Sequence, residues 1–261
     1  MRQKINDCGV RNSFGYYDNR AKEIVLKHPC LKKKDVNDVY AWLDSDTELK
    51  KIAIGIGAVE NCVTDDTGNN LYSAAREVIY QTIAQTAVID NQILMNILMR
   101  LKNKTALRNL ACKCYDFSND DALFEELIRT INTVKSIVYF DLSGCYFKDE
   151  QLLCLAEAIA QSHIAHIVWP EPKMSAIIEE KVMKIFKSNR SLVVLQGVPA
   201  SFQKIAEDNR KYLFAQADKP SLIGDKERAI MLEYAESLRL AIAYEKQCLF
   251  DLEKAIAAVL A

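Results

Sequence analysis

The stretch from Ile137 to Phe147 places apolar residues and one cysteine at its first, fourth, sixth, ninth and eleventh positions: Ile137, Phe140, Leu142, Cys145 and Phe147. The fourth and sixth positions share one face of a strand, because successive side chains of a strand alternate. The later positions fit a turn that leads the chain away. A strand-and-turn of this size cannot bury its apolar side alone, so it must stack on copies of itself.

The copies are present. Downstream, Ile164, Ile167, Trp169, Pro172 and Met174 take the five positions, followed by Leu192, Leu195, Gly197, Ala200 and Phe202. Upstream stand Leu107, Leu110, Cys112, Tyr115 and Phe117, preceded by two degenerate copies: Ile79, Thr82, Ala84, Ala87, Ile89, and Leu49, Ile52, Ile54, Gly57, Val59. First positions at 49, 79, 107, 137, 164 and 192 are separated by 30, 28, 30, 27 and 28 residues. So narrow a drift points to one repeated unit.

Between the strands the apolar spacing changes to that of a helix with one buried face. Ile93, Leu94, Ile97, Leu98 and Leu101 show it first, then Leu123, Phe124, Leu127, Ile128 and Ile131. It returns at Leu152, Leu153, Ala156 and Ile159, and at Ile177, Ile178, Val182, Ile185 and Phe186. A helix after each strand is the crossover that parallel pairing requires. The expected fold class is therefore α/β.

Phe140-Asp141-Leu142-Ser143-Gly144-Cys145, the segment Leu152 to Gln161, and Asn189-Arg190-Ser191-Leu192-Val193-Val194-Leu195 resemble the ribonuclease-inhibitor-like leucine-rich repeats. The resemblance is clearest over 107–202. It implies a solenoid, a horseshoe with a parallel concave sheet and convex helices, and a non-enzymatic binding scaffold. On this reading 1–48 form a helical N-terminal cap, 49–216 about six repeats, and 225–261 a C-terminal helix. Compact, irregular repeat proteins of this kind are also similar to effectors that bacterial pathogens deliver into host cells, some of which restrain companion proteins.

Composition narrows the partners. A formal net charge of -1 provides no clustered positive field for phosphate, so nucleic acid is not an expected partner. No apolar run reaches the ~18 residues of a membrane span, and no signal-peptide core opens the chain. A cytoplasmic protein is expected, and delivery by a specialised secretion system would leave no such mark. The cysteines point the same way. Cys112 at an inward position, Cys145 at the turn and Cys154 on a helix read as small buried hydrophobes of a reduced chain.

The ends have a different texture. Asp35 can cap a helix bearing Val36, Val39, Tyr40, Trp42 and Leu43 at helical spacing, and a solenoid needs such a cap. At the other end a helix is expected over 204–216. Beyond it, Leu238, Ile242, Glu245, Leu249, Leu252, Ile256 and Val259 step by four and three, so the chain is expected to be a monomer or a weak dimer through 225–261.

Strand alternation also assigns the face opposite the helices. Its third-position column is Lys51, Gln81, Asn109, Tyr139, His166 and Val194, and its fifth is Ala53, Ile83, Ala111, Asp141, Val168 and Gln196. The seventh is Gly55, Gln85, Lys113, Ser143, Pro170 and Val198. The expected partner is another protein, held mainly by Gln81, Ile83, Gln85, Asn109, Ala111, Lys113, Tyr139, Asp141, Ser143, His166, Val168, Val194 and Gln196, and modulated or inhibited by being covered.

Catalytic readings find less to stand on. Cys8 or Cys30 with His28 would supply a thiol nucleophile and base, but no third group to orient them is apparent. Cys112, Cys114 and Cys145 fall short of four zinc ligands. His163 and His166 read as ordinary surface histidines. No cofactor or metal is expected, and a thiol enzyme and a structural dimer remain the alternatives to a binding scaffold.

Overall fold

The structure is a computed structural model in which residues 10–12, 15–20, 22–27, 36–55, 91–170 and 174–217 are described. Its centre is an eight-stranded sheet whose strands follow one another in chain order. The strands β1 (Val10–Asn12), β2 (Gly15–Asp18) and β3 (Glu23–Lys27) form an antiparallel meander. From β3 onward the pairing is parallel, through β4 (Lys51–Gly55), β5 (Asn109–Cys112), β6 (Tyr139–Asp141), β7 (His166–Val168) and β8 (Val194–Gln196).

Helices α1 (Val36–Ser45), α2 (Asn91–Leu101), α3 (Asp121–Thr133), α4 (Asp149–Ala160) and α5 (Ala176–Ser188) pack side by side in the same order. A short 3-10 turn (Ala200–Phe202) leads into α6 (Gln203–Ala217). The core lies between the helices and one face of the sheet. Every inward strand position from β5 to β7 is buried: Leu110, Cys112, Phe140, Leu142, Ile167 and Trp169. So are the first positions Leu107, Ile137, Ile164 and Leu192.

Each unit is tied to the next by groups the sequence places at fixed offsets. The eleventh-position rings of Phe117 and Phe147 stack with centroids 4.9 Å apart, and Phe186 meets both Trp169 and Phe202 edge-on. Asp120 caps α3 by accepting from the Leu123 N–H at 2.9 Å, and Ser175 caps α5 by accepting from Ile178. Asn189 closes the turn before β8. Its amide donates to the Ile159 and Ala160 carbonyls at the end of α4, while its oxygen accepts from the N–H groups of Ser191 and Leu192.

The copy expected to begin at Ile79 lies outside the described residues. Strands β4 and β5 pair directly, Lys51 with Asn109 and Ala53 with Ala111. Three expectations need correction. The first 48 residues are not only helical, since β1, β2 and β3 extend the sheet and bury Tyr17, Ile24 and Leu26. Alternation within Glu23-Ile24-Val25-Leu26-Lys27 is the reason β3 forms.

The other two corrections concern single faces. Ile177 is 68% exposed, because α5 buries Ile178, Val182 and Phe186 at steps of four, a stripe that runs beside Ile177. Cys154 is exposed because α4 turns Leu152, Leu155, Ala156 and Ile159 inward and Cys154 to the opposite side. Cys112 and Cys145 are buried as expected, the Cys145 thiol donating to the Cys112 carbonyl at 2.9 Å.

A second network joins the amino-terminal strands to the repeats. The Lys104 ammonium donates to the Leu43 carbonyl and, at 2.7 Å, to the Asp46 carbonyl at the end of α1. Asp46 in turn accepts from the Tyr17 hydroxyl at 2.9 Å, and Tyr17 lies over Trp42. Burial lowers the Lys104 pKa, opposed by the nearby charges of Asp46 and Asp44.

Candidate functional site

Parallel register decides which side chains share the face opposite the helices. Lys51, Asn109, Tyr139, His166 and Val194 form one row across five strands, and Ala53, Ala111, Asp141, Val168 and Gln196 the next. These are the third and fifth columns expected from the sequence, apart from the members that the Ile79 copy contributes. Gln81, Ile83 and Gln85, assigned to the same face, lie outside the described residues, as do Cys8, His28, Cys30 and residues 225–261.

The middle of the face is a polar network rather than a bare groove. The Asp141 carboxylate receives Lys113 Nζ at 2.8 Å, the Tyr139 hydroxyl at 3.2 Å and the Ser143 N–H at 2.9 Å. With a side chain only 4% exposed, the Asp141 carboxylate has these donors in place of water. Beside it the Tyr139 ring meets His166 edge-on, centroids 4.7 Å apart. Further along the sheet, Lys51 pairs with Glu23 at 2.9 Å.

His166 departs from the surface histidine expected of it. It is 6% exposed, and burial pushes its pKa down to about 4, against the raising effects of a hydrogen bond with Gln196 and the charge of Asp141. The imidazole is therefore neutral at pH 7. Sequence alone gave no sign of this, because the packing partner Tyr139 lies 27 residues away and is reached only through the β6–β7 register.

Around the network the face opens unevenly. Ala111 is buried, Ala53, Asn109, Lys113, Tyr139, Ser143, Val168 and Val194 are half-buried, and Gln196 is exposed. Accessible apolar and aromatic groups therefore lie toward β8. Chemically, the arrangement is suited to recognition: the Asp141 oxygens already hold donors, and the charges face one another in pairs.

Among the described residues no group of three His, Cys, Asp or Glu side chains could hold a metal ion. Burial pushes the Cys112 thiol up to about 12 and raises that of Cys145 as well, which leaves both protonated and unreactive. A separate crevice of about 260 Å³ lies between α5 and α6 and is lined by Lys187, Arg190, Lys204 and Asp208 among others. These four charged groups are all solvent-exposed or nearly so, and they form no dry pocket. No described helix is long and apolar enough to cross a membrane.

No protein-family model matches the chain, and no curated protein sequence matches it. Among solved structures it is similar to the tropomodulin C-terminal domain of Caenorhabditis elegans, at 16% identity and a TM-score of 0.46, over 70% of this chain and 98% of that one. At that level the likeness adds nothing to the register and the core, which by themselves establish an α/β fold with a mostly parallel sheet and a helix after each repeat strand.

Proposed function

We propose that the chain is a leucine-rich-repeat scaffold of the ribonuclease-inhibitor-like kind, which holds another protein against the sheet face opposite its helices and modulates it by covering it. The observation that carries this reading is the alignment of Tyr139, His166, Val168, Val194 and Gln196 on that face by two successive parallel registers. Aromatic groups among small apolar ones are typical of interface centres.

Size sets a condition on the partner. Five strands at ~4.8 Å spacing and about five residues each at ~3.3 Å give a patch of roughly 400 Å² in plan. A standard interface buries about 800 Å² on each partner. Loops at the strand ends therefore join the contact. On this reading the chain is a binder and not an enzyme, in keeping with an Asp141 already held by three donors.

Affinity capture from lysate followed by mass spectrometry identifies partners, and Tyr139→Ala combined with Val168→Asp tests the face. Losing a central aromatic contact and placing a charge at Val168 should weaken capture by at least about 3 kcal/mol, roughly 100-fold, with cooperative unfolding kept at a lower thermal midpoint, because Tyr139 also donates to Asp141. A double variant that retains every partner of the parent chain refutes the reading.

A further inference from the structure

We propose that α6 is a clasp that withholds the outer edge of β8 from a second strand, and that the strand it keeps out is β8 of a second copy of this chain. Among the described residues the sheet ends at β8. On its inner side the Val194 N–H donates to the Ala165 carbonyl, and the Gln196 carbonyl accepts from Trp169. The carbonyls of Val193 and Leu195, which alternate with these residues, turn outward, where an open edge would offer them to another chain.

Each of those outward carbonyls is taken by a side chain of α6. Gln203 Nε2 donates to the Leu195 carbonyl at 2.8 Å, and Arg210 donates to the Val193 carbonyl at 2.6 Å. Asn209 adds donations to the Leu192 carbonyl at 2.8 Å and the Asn189 carbonyl at 2.9 Å. The three donors fall on one side of the helix, with fully buried Ala206 between them permitting close approach. Thus α6 runs along the place where a ninth strand would pair.

The guarded edge carries no defence of its own. Natural edges are blunted by lysine or proline, but Val193-Val194-Leu195-Gln196 contains neither charge nor proline. Two such segments are self-complementary about a twofold axis, the commonest symmetry of homodimers, and a net charge of -1 gives little repulsion between copies.

The test compares the full chain with Gln203→Ala/Arg210→Ala by sedimentation over a wide concentration range, with amide hydrogen exchange on β8. The double variant is expected to reach up to twice the parent's average mass at equal concentration, with the Leu195 amide slowed in the associated form. A variant that unfolds cooperatively yet sediments as the parent overturns the proposal, and so does a larger species whose β8 amides exchange as in the parent. If the double variant loses cooperative unfolding, Gln203→Ala alone frees the Leu195 carbonyl, and the same two readouts decide.

Discussion

Asn189 and His166 show how much one side chain can control in a stacked chain. Asn189 supplies two donations and accepts two N–H groups where one unit hands over to the next. Replacing it by alanine leaves buried carbonyls and amides without partners, which should cost about 2–4 kcal/mol in urea unfolding. For His166 the prediction is a pH dependence. Its folded pKa of about 4 lies below the ordinary 6.5, so above pH 6.5 both states are neutral and the stability is fully present. As pH falls below 6.5 the unfolded chain takes a proton that the folded chain refuses, and stability declines until about pH 4. Between pH 7 and pH 5 the loss should be about 2 kcal/mol. Urea midpoints of the parent and His166→Gln at the two pH values check it, since the variant should lack this part of the slope.

At the scale of elements, the strands depend on where the chain turns away from the sheet. Gly55 ends β4 with φ at +122°, and a Cβ there would lie 2.2 Å from the Lys113 carbonyl oxygen. Gly55→Ala should therefore destabilise by about 2 kcal/mol or more, read as a lower thermal midpoint, by straining the β4–β5 pairing. The attachment of α1 rests on Lys104, whose donations to the Leu43 and Asp46 carbonyls satisfy the helix end. Lys104→Met keeps the stem and removes the donor. It should cost about 1–3 kcal/mol, with faster hydrogen exchange concentrated in α1 and β2. The helices themselves were legible in the spacing of their apolar residues, and α2 buries all five of the residues that pattern named: Ile93, Leu94, Ile97, Leu98 and Leu101. The strands of the first 48 residues were less legible, being three to five residues long and set in a polar context.

For the whole molecule, an array in which each unit touches its neighbours transmits damage from the middle to both ends. Leu142 is fully buried in the central repeat, so Leu142→Asp should cost more than about 4 kcal/mol and abolish cooperative unfolding, as near-ultraviolet circular dichroism would show. The period near 28 residues, the inward columns from Leu107 to Phe202 and the outward rows they imply were all determined by the sequence, because strand alternation and helical spacing are local properties of the chain. The tertiary structure decided what depends on contacts between distant segments. It paired β4 directly with β5 across the interval that holds the Ile79 copy. It gathered Lys113, Tyr139 and Ser143 around Asp141 and buried His166 beside them, and it laid α6 along the last strand. Burial, ion pairing and edge closure belong to neighbours in space, and neighbours in space are fixed only when the units stack.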